Sequence, residues 1–265
     1  MTTAPPTCAA CGTQLHPGFR FCGHCGAPAG APPPPTPQHI PGPTAAPGAA
    51  TVPARAGCPR LTIVRGDLLP APAFDLSGEE TLCGRTTGSI RLAEDPTVSP
   101  RHARFTVRGG ALTVEDLGTV NGTFLRIRGP HRLAPGDTLR VGRQVLRLEL
   151  LPPPAAADAS GVRAWGTPGP GTRLRLAQLL EGGGDGDAFP LHEGENAIGR
   201  EAGDVVFPAD RYVSARHALL EVRGESVTVV DVGSSNGTFA SLSGETALAP
   251  GDQLLVGGQV LRVDA

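Results

Sequence analysis

Two groups of residues have types and spacing that could do chemistry. The first is a loop set written twice. Gly84-Arg85, Ser99-Pro100-Arg101-His102 and Asn121-Gly122-Thr123-Phe124 return 115 positions later as Gly199-Arg200, Ser214-Ala215-Arg216-His217 and Asn236-Gly237-Thr238-Phe239. Arginine supplies charge and paired donors, serine a hydroxyl, and glycine-flanked backbone exposes N–H groups, a combination suited to an oxyanion. Asparagine offers both a donor and an acceptor, which suits a peptide backbone. Serine and histidine three apart also raise nucleophilic catalysis. No third residue stands beside them to complete a relay, and a loop-to-strand junction need not bring their side chains together. Nothing in the sequence supplies a nucleotide site or a metal with an open position, so an enzyme is not expected.

The second group is Cys8-x2-Cys11 and Cys22-x2-Cys25, with Gly12 and Gly26 closing the two knuckles. Four thiolates in two such pairs suit structural, tetrahedral Zn²⁺. A redox CxxC is the rival, but the βαβ setting it would need is missing. So short a segment could not bury a core without the metal. Nucleic-acid binding by this segment is disfavoured, because Arg20 is its single arginine and backbone affinity needs several cations. Cys58 and Cys83 stand outside the set; Cys83 reads as a small core residue, and a bond between them is disfavoured in a reducing compartment.

The elements that must position the loops read as strands. RLTIVR (60–65), ARFTVR (103–108), ALTVEDL (111–117) and VLRLEL (145–150) alternate apolar and polar residues, as do RLRLAQLL (173–180), ALLEVR (218–223), SVTVVDV (226–232) and VLRVDA (260–265). Short strands separated by glycine-rich turns predict sandwiches or barrels, with no helix longer than a turn. The repeat divides the 265 residues into a zinc ribbon at 1–27, a proline-rich linker at 28–57, one β domain at 58–151, a linker at 152–171 and a second β domain at 172–265. The first β repeat (60–151) carries 13 Arg against 10 acidic residues and the second (172–265) 7 against 14, a contrast that would let them dock. The sequence shows no secretory signal and no apolar run of about 18 residues. With its thiols, this points to a cytoplasmic protein that does not enter a membrane.

The pattern GR…SxRH…DxGSSNGTF…LxPGDxLxVG resembles the forkhead-associated (FHA) domain over about 60–151 and 172–265. The resemblance implies an all-β chain: two eleven-stranded FHA-type sandwiches in tandem, plus the small four-cysteine zinc ribbon. It further implies that loops at one end of each sandwich bind phosphothreonine peptides. Carried over by position, Arg200 pairs with the phosphate, Ser214 donates its hydroxyl, Arg216 flanks it, Ser235 adds a second hydroxyl and Asn236 bonds the ligand backbone. His217 and Gly237 serve the loop's structure. The matching residues in the first copy are Arg85, Ser99, Arg101 and Asn121, with His102 and Gly122 as the structural pair.

The departure is Val120, which stands where the second copy has Ser235. A hydrogen bond lost to a charged group costs about 1.5–3 kcal/mol, or roughly tenfold or more in affinity; Arg91 or Arg104 would offset part of it. The second copy is therefore expected to be the more intact reader. The first is a weakened reader, a differently specific one, or a structural partner. The expected function is a signalling adaptor downstream of Ser/Thr kinases, with phosphothreonine-containing proteins, a kinase or its substrates, as partners. The alternatives are a phosphate-independent scaffold and, further off, a nucleic-acid-associated regulator led by the ribbon. The sequence leaves the oligomeric state open.

Overall fold

The computed structural model describes residues 58–64 and 71–264, together with Thr7 and Gln14, which form an antiparallel bridge. Cys8, Cys11, Cys22 and Cys25, and the 28–57 linker up to residue 57, lie outside the described residues. The chain divides into 1–50 and 51–265, and every strand among the described residues falls in the second unit.

The first repeat forms β1 (Arg60–Ile63), β2 (Ala73–Asp75), β3 (Glu80–Gly84), β4 (Ile90–Arg91), β5 (Ala103–Arg108), β6 (Ala111–Asp116), β7 (Thr123–Arg126), β8 (His131–Leu133), β9 (Thr138–Val141) and β10 (Gln144–Leu150). The second forms β11 (Leu174–Leu179), β12 (Asp185–Pro190), β13 (Gly194–Gly199), β14 (Val205–Val206), β15 (Ala218–Arg223), β16 (Ser226–Asp231), β17 (Thr238–Ser241), β18 (Thr246–Leu248), β19 (Gln253–Val256) and β20 (Gln259–Asp264). Among the described residues each repeat thus holds ten strands, not the eleven the resemblance implies, and no helix. Inward residues alternate along them, as in β1 and β9, so that one face of each strand enters a core.

The pairing departs from two self-contained tandem sandwiches. One sheet has ten strands in the order β12-β11-β10-β9-β17-β7-β19-β20-β1-β2, and the two five-stranded sheets run β14-β13-β15-β16-β8 and β18-β6-β5-β3-β4. Each repeat lends its last three strands to the other. β8 lies on β16 and β18 on β6; β10 pairs with β11 and β20 with β1. The exchange turns on β7 and β17, which pair with each other antiparallel through Phe239↔Arg126 and Ser241↔Phe124.

The cores follow the exchanged strands. Ile127, Leu133, Leu139, Val141, Leu146 and Leu148 of the first repeat are buried with Leu176, Ile198, Leu220 and Val229 of the second. Leu254, Val256, Leu261 and Val263 complete the other core around Leu61, Phe105 and Val114. At about 1.5–3 kcal/mol per fully buried apolar side chain, each loaned hairpin is a main source of its host's stability. A third cluster, Phe124, Phe239 and Leu255, packs with Val145 and Val260 across the middle of the long sheet. Ion pairs also cross the repeats: Arg175 meets Glu149 at 2.7 Å, Arg147 meets Asp185 at 2.9 Å and Arg128 meets Asp252 at 2.8 Å.

The second linker is not a spacer. Leu150 and Leu174 are register partners, and the Leu151 amide donates to the Arg173 carbonyl at 2.7 Å. Residues 152–171 therefore form an excursion between two clamped ends of one hairpin. Cys58 and Cys83 are free thiols; burial pushes the Cys83 thiol up to about 12, as suits a core residue.

Candidate functional site

Each repeat gathers its motif loops at one end of a sandwich. The Arg200 amide donates to the Ser214 carbonyl at 3.0 Å, and the Arg85 amide to the Ser99 carbonyl at 2.9 Å. This contact explains the Gly-Arg pair. A Cβ on Gly84 would fall 2.2 Å from the Pro100 carbonyl oxygen, and one on Gly199 would fall 2.3 Å from that of Ala215. Only glycine lets the two loops approach so closely.

His217 is fully buried and binds two loops together. Its Nδ1 accepts from the Ser214 amide at 3.1 Å, and its Nε2 lies 3.2 Å from the Gly237 carbonyl. Nδ1 must be bare and Nε2 must carry the proton, so the ring is neutral. Burial pushes its pKa below 6.5, against smaller opposing effects of the Gly237 carbonyl, Asp231 and Asp210. His102 repeats the arrangement with the Ser99 amide at 3.0 Å and the Gly122 carbonyl at 3.1 Å. Both ring nitrogens are committed to backbone, so neither histidine is placed to take a proton from its neighbouring serine hydroxyl.

The Asn-Gly loops are braced from beneath by residues the sequence reading passed over. Asp231 accepts from the Gly233 and Ser234 amides and the Ser234 and Thr238 hydroxyls, at 2.6–3.0 Å. Burial opposes its ionisation, but these bonds outweigh it and hold its pKa below 3.8. In the first copy Asp116 accepts from the Thr119 amide and from the Thr119 and Thr123 hydroxyls, at 2.8–2.9 Å. The Ser234 hydroxyl then accepts from the Gly237 amide at 2.9 Å. The signal was present, since the Asp, the hydroxyl and the Thr recur at fixed spacing in DLGTVNGT and DVGSSNGT.

The ligand-facing candidates lie above this frame. Asn236 donates to the Tyr212 carbonyl at 2.8 Å and Asn121 to that of Thr97 at 2.7 Å, so each amide is aimed by the neighbouring loop. Arg101, Arg216, Asn121, Ser235 and Asn236 are exposed, while Arg85, Arg200, Ser99 and Ser214 are half-buried. The Ser235 amide donates to Ser214 Oγ at 3.1 Å, tying these two together. Among the described residues no such bond joins Val120 to Ser99, and Val120 is 96% exposed. The arginines also differ. Arg85 donates through Nε to the Val98 carbonyl at 3.2 Å, whereas Arg200 Nη2 is engaged by Glu201 at 2.9 Å; Thr86 stands at the matching place in the first copy. The spare arginines have contacts of their own. Arg104 is bound to Glu115 on the sheet, and Arg91 donates to the Gly88 carbonyl.

Exchanged strands support both clusters. Asp95 accepts from the Gly258 amide at 2.8 Å, and Asp210 accepts from the Arg143 amide at 2.8 Å and from Gln144 at 2.7 Å. Each carboxylate fixes the hairpin tip lent by the other repeat. Arg140 joins the two tips, donating to the Gly142 and Gly257 carbonyls, each at 3.4 Å. The repeat gave no hint of Arg140, whose counterpart is Leu255.

The FHA domain model matches residues 81–142. The oxoglutarate dehydrogenase inhibitor of Corynebacterium efficiens is 38% identical over 114 residues, 42% of this chain and 77% of that protein. The chain belongs to the FHA-domain family. FHA domain-containing protein FhaB of Mycobacterium tuberculosis is 34% identical over 92 residues, 34% of this chain, and the match spans 59% of that relative's length. Glycogen accumulation regulator GarA of Mycolicibacterium smegmatis is 35% identical over 102 residues, 37% of this chain and 63% of that protein. Residues 178–265 match the family described as the inner membrane component of T3SS, cytoplasmic domain. The FHA match at 81–142 includes β8 and β9, which in space complete the other sandwich. No helix among the described residues is long and apolar enough to cross a membrane.

Proposed function

We propose that the chain is a non-enzymatic, cytoplasmic signalling adaptor that binds phosphothreonine segments of a Ser/Thr kinase or its substrates through both FHA loop clusters. One observation carries this reading. In each cluster a neutral, buried histidine locks the serine loop to the Asn-Gly loop, with the Gly-Arg arginine alongside. The lock presents a guanidinium, a hydroxyl and an aimed amide at one end of a sandwich, and leaves the histidine no catalytic task. The second cluster has the fuller hydroxyl set, through Ser214 and Ser235. Its arginine must first leave Glu201. The first lacks the Ser235 hydroxyl but carries an arginine with no carboxylate on it among the described residues. The test is binding of a phosphothreonine peptide library to the full chain and to its Arg85→Ala and Arg200→Ala variants. Phosphothreonine-selective binding reduced by both substitutions supports two readers. Affinity indifferent to both favours the phosphate-independent scaffold.

Within the same proposal, Cys8, Cys11, Cys22 and Cys25 hold a structural Zn²⁺, since four thiolates in two CxxC pairs match its preferred donor set. Metal analysis should find one zinc per chain, lost in a Cys8→Ser/Cys22→Ser variant.

A further inference from the structure

In a chain of separate beads the linker would set the distance between two readers. Here it does not. The linker's ends are clamped at Leu150↔Leu174, and the two clusters are tied through the exchanged hairpins. A Cβ on Gly257 would lie 2.7 Å from Thr97 Oγ1 and 2.6 Å from Val98 Cγ2, and one on Gly142 would lie 2.8 Å from Val213 Cγ2 and 3.0 Å from the Tyr212 carbonyl carbon. Thr97 and Tyr212 are the residues whose carbonyls aim Asn121 and Asn236. Arg140 bonds both glycine carbonyls. The bases of the two clusters are thus joined through one arginine side chain. The junction also carries positive charge that the repeat does not explain. Arg143 and Arg211 are exposed beside Asp210, where the first copy's arrangement has Gly258 and Pro96.

We propose that the two clusters form a single two-point site for one partner segment phosphorylated on two threonines, with strand exchange and Arg140 setting the spacing. The proposal rests on the phosphothreonine reading above. Each phosphate brings a charge of about −1.5 to −2, and the arginine-bearing junction suits the chain that runs between two of them. A rigid spacing acts as a filter. A partner with matching separation gains avidity on the order of 10²–10⁴, and one that cannot span the sites gains nothing.

The experiment is calorimetric titration of the full chain with singly phosphorylated peptides and with peptides bearing two phosphothreonines at graded spacings. At a preferred spacing, binding is expected at one peptide per chain and at least about tenfold tighter than the better single peptide. Arg85→Ala and Arg200→Ala should each return it to the single-site level. The proposal is overturned if singly phosphorylated peptides bind but no spacing improves on them, or if the double peptide only bridges two protein molecules. Failure of every singly phosphorylated peptide to bind overturns the underlying reading instead.

Discussion

Asp231, Ser234, Thr238 and His217 spend their polar atoms on the loop, and Arg200, Ser214, Ser235 and Asn236 are the residues we propose to face a ligand. These residues were legible because the same types recur 115 positions apart in a pattern that resembles the FHA motif; serine and asparagine alone are ordinary in a turn. The bracing Asp was equally repeated but read as part of the turn, since a carboxylate shows its worth only when its donors are seen. Glu201 was missed for a different reason: it lies in no shared motif, and its effect is to compete for Arg200. An exposed pair is worth about 0.2–1 kcal/mol, so Glu201→Thr should strengthen phosphopeptide binding at the second cluster by up to about fivefold. Isothermal titration at two salt concentrations checks this, with a smaller gain at high salt. His217 sets a pH dependence. Its native pKa lies below 6.5, so the unfolded chain binds more protons, and the stability it contributes is full above about 6.5 and lost as pH falls toward the native value. Half-buried His192 is shifted upward by the Glu193 carbonyl and Asp204 and works in the opposite sense. The check is therefore a difference: the urea midpoint of His217→Gln should fall less steeply than that of the wild type as pH drops from about 6.5 to 5.

At the level of elements, alternation made eight of the twenty described strands legible, ARFTVR with its observed bounds and SVTVVDV one residue too long, while the shorter strands lack enough residues to show a period. Their partners were not legible. The two repeats are similar enough that β10 and β20 present nearly the same residues, VLR with alternating leucine or valine, to either β1 or β11. What distinguishes the exchanged arrangement is the added β7–β17 ladder and the Phe124–Phe239–Leu255 cluster, which no single repeat contains. The exchange makes a first-repeat residue a core residue of the second cluster's sandwich. Leu146 is fully buried there, so Leu146→Ala should cost about 2–5 kcal/mol. Hydrogen exchange should locate the loosening around Ile198 and Leu220 rather than around Leu61 and Val114.

For the molecule as a whole, exchange converts two domains in sequence into one body in space across the described residues of the two repeats. The charge contrast between repeats is met partly by cross-repeat pairs such as Arg147–Asp185 and Arg128–Asp252. Each sandwich lacks a complete core without strands from the other repeat, so the two should unfold together. Calorimetry should show a single transition whose van't Hoff and calorimetric enthalpies agree, where separate domains would give two. The central claim is that each motif cluster in this joined fold reads phosphothreonine, and the most direct measurement is a backbone-amide NMR titration with a phosphothreonine peptide. The expected result is saturable shifts at Arg85, Ser99 and Asn121 and at Arg200, Ser214, Ser235 and Asn236, absent with the unphosphorylated peptide. Shifts that are the same without phosphate, or that fall on other surfaces, would contradict it.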